Sequence, residues 1–293
     1  MLEFTYNLWM VAASFVVALF AGFSGLSLLR GASRLPVERR KALVAAAAVV
    51  LGGGIWSMHF VAMLGVELPL VYYYDGLTTL VSVLVAILMV GFALLVLHFG
   101  RRTPVKLVTA GCILGAGIVA MHYIGMMGME LCGPVFGPFG VGVSFLAALG
   151  LSNLAVWVAY GSRTRRHILL GTVCFAVAVV SMHFIAMMGT QFYRVDFSST
   201  AGPPLSNEVL AMLVALSSFV ISGLSLLSAA SFWTPVQENE QKPLSERDSA
   251  PILEPAGPAI PVPYERDGRT YFAESSGIAA IRAEGHYTVL YAG

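Results

Sequence analysis

The sequence predicts an all-α membrane protein. Its seven transmembrane helices form three helical-hairpin repeats plus one helix, and a short β-type fragment follows at the C-terminus. The first observation is composition: 57% of the 293 residues are apolar or aromatic and only 11% are charged, against roughly 25% charged in soluble domains. The second is a set of seven long uncharged stretches, and the third is a motif that recurs three times. Together they exclude an ordinary cytosolic enzyme and a disordered chain.

Each uncharged stretch exceeds the roughly 20 residues that cross a bilayer as a helix. Strands or irregular segments would leave backbone groups unpaired in lipid, so these stretches are predicted to be helices. The first is not a signal peptide, because it lacks a basic region and its apolar run is too long. The seven stretches are residues 4–29, 42–66, 76–100, 107–129, 131–162, 167–193 and 209–237.

Basic residues predict the orientation, because connections rich in lysine and arginine stay in the cytoplasm. Eleven of the 17 basic residues lie in the connections after helices 1, 3 and 5, whereas the alternate connections hold only Arg194. The N-terminus is therefore predicted outside and the C-terminus in the cytoplasm. The outer connections carry the acids Glu67, Asp75, Glu130 and Asp196.

An internal repeat ends helices 2, 4 and 6 with the pattern M-H-[FY]-[VI]-[AG]-M-[LM]-G, at residues 58–65, 121–128 and 182–189. Its histidines are 63 and 61 residues apart, which is one helical hairpin each time. A fixed period indicates stacked or ring-arranged units. Because each unit has two helices, all three motifs are predicted to lie at one depth, near the outer helix ends.

Residues four apart share a helix face, so each motif places an imidazole and a thioether on one stripe. The polar imidazoles are expected to face inward, away from lipid. Imidazole with thioether favours copper, especially Cu(I), whereas helix packing is the alternative role. A haem with two axial histidines fits three equivalent positions less well. The predicted ligands are His59, Met63, His122, Met126, His183 and Met187, with Met58, Met121, Tyr123 and Met182 as secondary candidates.

The remaining polar signals are weaker. Cys112 and Cys174 lie within apolar helices and are predicted to pack there, whereas Cys132, by the end of helix 4, is a minor candidate ligand. A polar residue also follows each motif, two positions after its glycine. These residues are expected to cap the helices, with the lining of an outer mouth as the alternative; they are Glu67, Glu130 and Gln191.

The three motifs and the seven-helix topology resemble the MHYT domain of bacterial membrane sensors, over about residues 6–232. The resemblance implies a multi-pass protein of the bacterial inner membrane, with copper at the motif residues and sensing of oxygen, carbon monoxide or nitric oxide. The chain departs from the family pattern in two motif positions. Threonine is replaced by Val61, Ile124 and Ile185, and tyrosine by Phe60 and Phe184.

The C-terminal part divides further, which gives three predicted segments: residues 1–232, a proline-rich linker at 233–263, and residues 264–293. The linker holds seven of the 14 prolines and should be stiff and extended. The stretch 281–287 resembles the beginning of a LytTR-type DNA-binding domain, which is expected to be cut short here. The combination resembles membrane-bound regulators of carbon monoxide utilisation and implies DNA as a partner. A homodimer is also expected, because DNA readers often dimerise.

Two functional hypotheses follow. The first is a non-enzymatic receptor that detects a diatomic gas or redox state through copper and signals to a cytoplasmic DNA-binding domain. The second is a metal or small-solute transporter, which would need a continuous polar path through the bundle. The sequence shows no nucleotide-binding loop, nucleophile triad or paired catalytic carboxylates, so no enzymatic activity is expected.

The predicted orientation is tested by reporter fusions. Fusions after Pro36, Thr103 and Thr164 should report the cytoplasm, because the flanking connections are basic. Those after Tyr72, Pro134 and Thr200 should report the outside. The opposite pattern would place all three motifs on the cytoplasmic side.

Overall fold

A computed structural model describes residues 2–99, 103–160, 165–195, 204–233, 261–266, 269–284 and 287–292. The chain divides into two compact units, Met1–Thr234 and Pro235–Gly293. The first contains the α-helices, and the described residues of the second form short strands and a turn of 3₁₀ helix. Most of the predicted linker lies outside the described residues.

The first unit is mostly helical, and six of its helices are long and apolar enough to cross a membrane. The seventh contains a shorter apolar stretch, Asn207–Ile221. The structure therefore agrees with a multi-pass membrane protein, and the sequence prediction of a seventh crossing stays a prediction. The helices are α1 (Leu8–Leu28), α2 (Val37–Leu64), α3 (Gly76–His98), α4 (Pro104–Met127), α5 (Pro138–Tyr160), α6 (Arg165–Met188) and α7 (Asn207–Trp233).

Local sequence sets where several helices begin and end. The side chains of Asn7, Asp75 and Thr103 accept hydrogen bonds from the first backbone N–H groups of α1, α3 and α4, as N-cap residues do. At the other end, α2 and α4 finish at Gly65 and Gly128, whose own N–H groups bond to the last carbonyls. The motif glycine therefore ends these two helices.

The first six helices form a closed ring, because each packs against the next and α6 packs against α1. Helix α7 lies outside this ring against α1 and α2. Small residues allow the close crossings. A Cβ on Gly52 would lie 2.6 Å from Ile87 Cα, and one on Gly115 would lie 2.8 Å from the Ala148 carbonyl oxygen. These crossings bring α2, α4 and α6 into contact with one another near the axis.

The outer surface of the ring is apolar, as contact with lipid requires. Leu84, Leu88 and Phe92 form a stripe along α3 and are each about half exposed. Several buried hydroxyls bond to a backbone carbonyl of their own helix or tie two helices together. The Ser57 hydroxyl, for example, bonds to the Ser217 hydroxyl of α7 at 2.7 Å.

Short strands cover the end of the ring at which α2, α4 and α6 finish, called here the motif end. Polar residues that were expected to cap helices lie in these strands instead: Glu67, Glu130 and Gln191 belong to β2, β4 and β6. The capping expectation was therefore wrong, because the motif glycines already end α2 and α4. The strands are β1 (Thr5–Tyr6), β2 (Val66–Glu67), β3 (Tyr73–Asp75), β4 (Met129–Glu130), β5 (Cys132–Phe136), β6 (Thr190–Arg194) and β7 (Pro204–Leu205).

Four antiparallel pairings, in three small sheets, join these strands. Strand β1 pairs with β2, β3 pairs with both β4 and β7, and β5 pairs with β6. The chain turns from β4 into β5 at Leu131, whose φ of +65° is unusual for a residue with a side chain. The pairings link the connections of different hairpins, so they hold the motif end of the ring together.

The second unit contains two antiparallel hairpins, which agree with the predicted β-type fragment. In the first, β8 pairs with β9, and in the second, β10 pairs with β11. A short 3₁₀ helix, Ser275–Gly277, connects them. The strands are β8 (Pro261–Arg266), β9 (Arg269–Glu274), β10 (Ile278–Glu284) and β11 (Tyr287–Ala292).

Adjacent glycines of α2 test the close crossing. Gly52→Ala should destabilise the bundle by about 1–3 kcal/mol, because the new Cβ meets the α3 backbone and overpacks the crossing. Gly53→Ala is the matched control, since a Cβ there meets nothing within 4 Å; it should stabilise by about 0.5–1 kcal/mol through helix propensity. Unfolding in mixed detergent micelles measures both. If the two substitutions changed the free energy of unfolding equally, the close contact of α2 with α3 at Gly52 would be contradicted.

Candidate metal centre

The predicted histidines meet on the axis of the ring. His59, His122 and His183 come from α2, α4 and α6, and all three are fully buried. Their ring centroids are 5.0, 5.1 and 5.1 Å apart, close to an equilateral triangle. Each pair of rings is nearly perpendicular, with interplanar angles of 75–83°. The prediction that the three motifs lie at one level is therefore confirmed by their convergence.

The Nδ1 atoms point toward one another. His59 Nδ1 lies 3.1 Å from His183 Nδ1 and 3.2 Å from His122 Nδ1. Within the described residues, these three side chains are the group of histidine, cysteine or acidic residues placed to hold a metal ion. We call them the His triad.

Hydrogen bonding alone does not satisfy this arrangement. A neutral imidazole has one N–H donor and one accepting nitrogen, so a single Nδ1 either donates or accepts. His59 Nδ1 is within hydrogen-bond distance of two other Nδ1 atoms but has only one N–H or one lone pair, so it cannot make a full hydrogen bond to both. Such a mismatch in an apolar interior costs free energy. A cation bound by three Nδ1 lone pairs removes it.

The other side of each imidazole is packed against hydrocarbon. Each ring lies edge to face with the aromatic ring that follows it, with His59 on Phe60 and His183 on Phe184, for example. A Cβ on Gly125 would lie only 2.9 Å from His59 Nε2. The small residue at the fifth motif position therefore makes room for an imidazole of the neighbouring repeat, and the aromatic residue orients the imidazole of its own repeat.

The nitrogen separations fit a first-row metal ion. Nitrogen ligands lie about 2.0–2.1 Å from zinc, and two such ligands at a tetrahedral angle are about 3.3 Å apart. The observed 3.1 and 3.2 Å match this separation closely. Imidazole suits zinc, copper, iron and nickel alike, so the His triad by itself identifies no metal.

The methionines predicted as ligands are also in the core. Met63, Met126 and Met187 lie one helical turn beyond the histidines toward the motif end, and all are buried. Their coordination of a metal stays a prediction. Tyr123 is placed differently, because its hydroxyl bonds to the Ser144 hydroxyl of α5 at 2.9 Å. The other secondary candidates, Met58, Met121 and Met182, are buried as well.

Toward the other end of the ring the axis is apolar. The residues four positions before the histidines are fully or almost fully buried aliphatic side chains, and those eight positions before help line a cavity of about 40 Å³. The described side chains offer no polar path through these two layers. The layers are Ile55, Ile118 and Val179, followed by Leu51, Leu114 and Phe175.

Two further polar groups lie elsewhere. His98, near the basic end of α3, is buried, and its Nε2 lies 3.0 Å from the Tyr160 hydroxyl of α5. Cys132 is buried in β5, and burial raises the pKa of its thiol to about 11. That thiol therefore stays protonated at neutral pH, which makes it a poor ligand, because the thiolate is the form that binds metals.

Comparison with a known family adds independent support to the repeat. Residues 52–111 and 115–172 match MHYT, described as a bacterial signalling protein N-terminal repeat. The two matched segments contain the His59 and His122 motifs. The MHYT resemblance inferred from the motifs is therefore confirmed, whereas the LytTR resemblance of the tail stays a prediction.

Proteins similar to this chain are cyclic di-GMP enzymes or signalling proteins by name. The bifunctional diguanylate cyclase/cyclic di-GMP phosphodiesterase MucR of Pseudomonas aeruginosa is 34% identical over 236 residues, covering 78% of this chain and 34% of that protein. The cyclic di-GMP phosphodiesterase NbdA of the same organism is 30% identical over 258 residues (85% and 32%). The signalling protein YkoW of Bacillus subtilis is 26% identical over 238 residues (77% and 29%).

The chain spans about a third of the length of these curated relatives. No solved structure matches it. The agreement of the family match with the motif helices and with these relatives leads to one conclusion: this chain contains the MHYT repeat of bacterial signalling proteins.

Proposed function

We propose that this protein is a non-enzymatic membrane receptor that binds copper at its His triad. It detects a diatomic gas or redox state there and signals to a cytoplasmic DNA-binding domain. The observation that carries the proposal is the convergence of three buried imidazoles, with the Nδ1 atoms of His183 and His122 at 3.1 and 3.2 Å from His59 Nδ1. Polar side chains in the apolar part of a membrane bundle cost free energy, so a buried cluster of this kind indicates a functional site. The names of the relatives support a role in signalling.

The ligand chemistry favours copper in its lower oxidation state. The predicted ligands, three imidazoles and three thioethers, are all neutral, and no acidic residue lies within the helical motifs. A buried site without an anionic ligand holds one positive charge at lower cost than two. Thioethers also prefer the softer Cu(I) ion. When bound, copper would supply an electron-rich centre that accepts a diatomic ligand or changes its charge on oxidation.

The protein around the triad performs three tasks. The motif aromatics fix the orientation of the imidazoles, and the methionine layer separates the triad from the motif end. The aliphatic layers below exclude water and ions. A diatomic gas, unlike an ion, dissolves in such apolar surroundings and reaches the triad without a polar path. This combination supports a receptor rather than a transporter.

A route to the tail begins next to the triad. Ser57 lies two residues before His59 on α2, and its hydroxyl bonds to Ser217 on α7. Helix α7 is the last helix before the C-terminal unit. A movement of α2 near His59 would therefore be transmitted to α7 through the Ser57–Ser217 hydrogen bond. We propose that this contact passes the state of the triad toward the tail.

The copper site is tested by titration of the full chain in detergent under reducing conditions. The wild type should bind Cu(I) stoichiometrically, and the variant with His59, His122 and His183 all changed to Ala should lose it, because no Nδ1 ligand remains. Competition with a chromogenic Cu(I) chelator and metal analysis measure both. The helices should still insert, since insertion depends on their apolar length.

His167→Ala is the matched control, because it removes an imidazole that is not part of the triad; it should bind copper as the wild type does. Helical circular dichroism and size-exclusion chromatography verify folding of each variant. If the triple variant still bound copper stoichiometrically, or if the wild type bound none, the histidines would be packing residues and not copper ligands.

The methionine layer gives a separate prediction. Changing Met63, Met126 and Met187 to Leu keeps the apolar volume but removes the thioethers. Affinity for Cu(I) should fall more than affinity for Cu(II), because sulfur prefers the softer ion. Parallel titrations with and without reductant measure the difference. Equal losses in both oxidation states would show that the thioethers are not ligands.

A further inference from the structure

A second polar site lies at the motif end, beyond the end of α4. A cavity of about 270 Å³ is bounded there by residues of β3, the last turn of α4, and β4 with the start of β5. Two carboxylate side chains line it, Asp75 and Glu130, which are 1% and 7% exposed. Among the described residues that line the cavity, none is lysine, arginine or histidine.

The pairing of β3 with β4 places the two carboxylates on one face. Tyr73 lies opposite Glu130, and the Asp75 N–H donates to the Gly128 carbonyl at 2.8 Å. Because side chains alternate along a strand, Asp75 and Glu130 project from the same face as diagonal neighbours. The position opposite Asp75 is Gly128, which has no side chain of its own.

The two carboxylate oxygens of Asp75 differ in their hydrogen bonding. Its Oδ1 accepts hydrogen bonds from the Thr78 backbone N–H at 2.7 Å and from the Thr78 hydroxyl at 2.6 Å, and so caps α3. Its Oδ2 is buried without a hydrogen-bond partner among the described residues. A buried carboxylate oxygen left in this state is costly. A cation in the cavity would offset that cost.

The end of α4 adds to the negative potential. Gly128 is the C-terminal cap of α4 and, together with Met127, lines the cavity. The last carbonyls of a helix carry partial negative charge and favour a cation. Two carboxylates and a helix C-terminus thus face one volume.

We propose that this cavity binds a hydrated divalent cation of the class that prefers oxygen ligands: Ca²⁺, Mg²⁺ or Mn²⁺. Carboxylate oxygens are the ligands these ions take. A volume of about 270 Å³ leaves room for the waters that complete the shell. Asp75 lies at the N-terminus of α3, and Glu130 lies just after the end of α4, eight residues after His122. An ion bound by both would therefore join the start of α3 to the segment that follows a motif helix. On the proposed orientation this end faces the outside. The inference does not depend on copper.

Terbium luminescence on the purified full chain tests the site. Tb³⁺ substitutes for Ca²⁺ and is excited through nearby tyrosines, here Tyr73 and Tyr74, which directly precede Asp75. The wild type should give a saturable signal that Ca²⁺ displaces. Asp75→Asn keeps an oxygen that caps α3, and Glu130→Gln keeps the side-chain shape. Each should weaken Tb³⁺ and Ca²⁺ binding at least tenfold, and the double variant should lose saturable binding.

Glu67→Gln is the matched control. Glu67 occupies the equivalent place in the first repeat, two residues after its glycine, but is exposed and contacts the Thr5 hydroxyl at 3.3 Å. Its substitution removes the same charge and should leave binding unchanged. Wild-type affinity in both Asp75→Asn and Glu130→Gln, an equal loss in Glu67→Gln, or no saturable wild-type signal would overturn the proposal.

Copper titration of the same samples separates this site from the triad. Asp75→Asn and Glu130→Gln should keep copper at the wild-type level, which also shows that they fold. The triple histidine variant should keep its Ca²⁺-displaceable terbium signal. A variant that lost both metals together would show that the cavity and the triad form one site, and would overturn the proposal of a separate one.

Discussion

The structure depends on three neutral imidazoles that meet inside an apolar bundle. Their Nδ1 atoms cannot satisfy one another fully by hydrogen bonds, because His59 Nδ1 lies close to two other Nδ1 atoms and has only one N–H or one lone pair to share between them. The surrounding side chains offer hydrocarbon and aromatic edges rather than polar partners. The bundle thus keeps these nitrogens free of competing bonds, which is what a site for a positively charged ligand requires.

The repeat solves the geometric problem that this convergence poses. Three histidines meet at one level only if three helices run in the same direction, and a hairpin repeat provides this by placing an antiparallel helix between successive motif helices. Helices α1, α3 and α5 fill these intervals and present apolar faces outward. The motif helices can then approach the axis, where glycine and alanine at the fifth motif position leave room for the imidazoles. The other motif residues thus provide the packing that places one histidine Nδ1 atom of each repeat on the axis.

The helices and the His triad could be predicted from sequence because their signals are long or repeated. In a membrane, a long uncharged stretch is expected to be a helix. Three copies of His-x-x-x-Met at hairpin spacing place the three histidines at one level along the bundle axis. The strands at the motif end gave no such signal, since each is only two to five residues long and pairs with a strand that lies far from it in the sequence. The burial of Asp75 and Glu130 follows from those pairings. It could not be separated in sequence from the exposure of Glu67, which follows its glycine in the same way. The burial of His98 against Tyr160 likewise follows from a contact between α3 and α5 rather than from a local sequence signal.

The distribution of ligand types follows the cost of charge along the bundle axis. Within the spanning helices the candidate ligands are neutral, because an isolated carboxylate at that depth would be expensive and would itself need a partner. Carboxylates appear only after α4 has ended at Gly128, where strands, helix-end carbonyls and a cavity with room for water replace hydrocarbon. Four residues separate His122 from Met126, and four more separate Met126 from Glu130. Along this short path the ligand chemistry changes from nitrogen to sulfur to oxygen. The second repeat therefore contributes His122 and Met126 to the proposed soft, neutral site in the apolar interior, and Glu130 to the proposed hard, anionic site at the motif end.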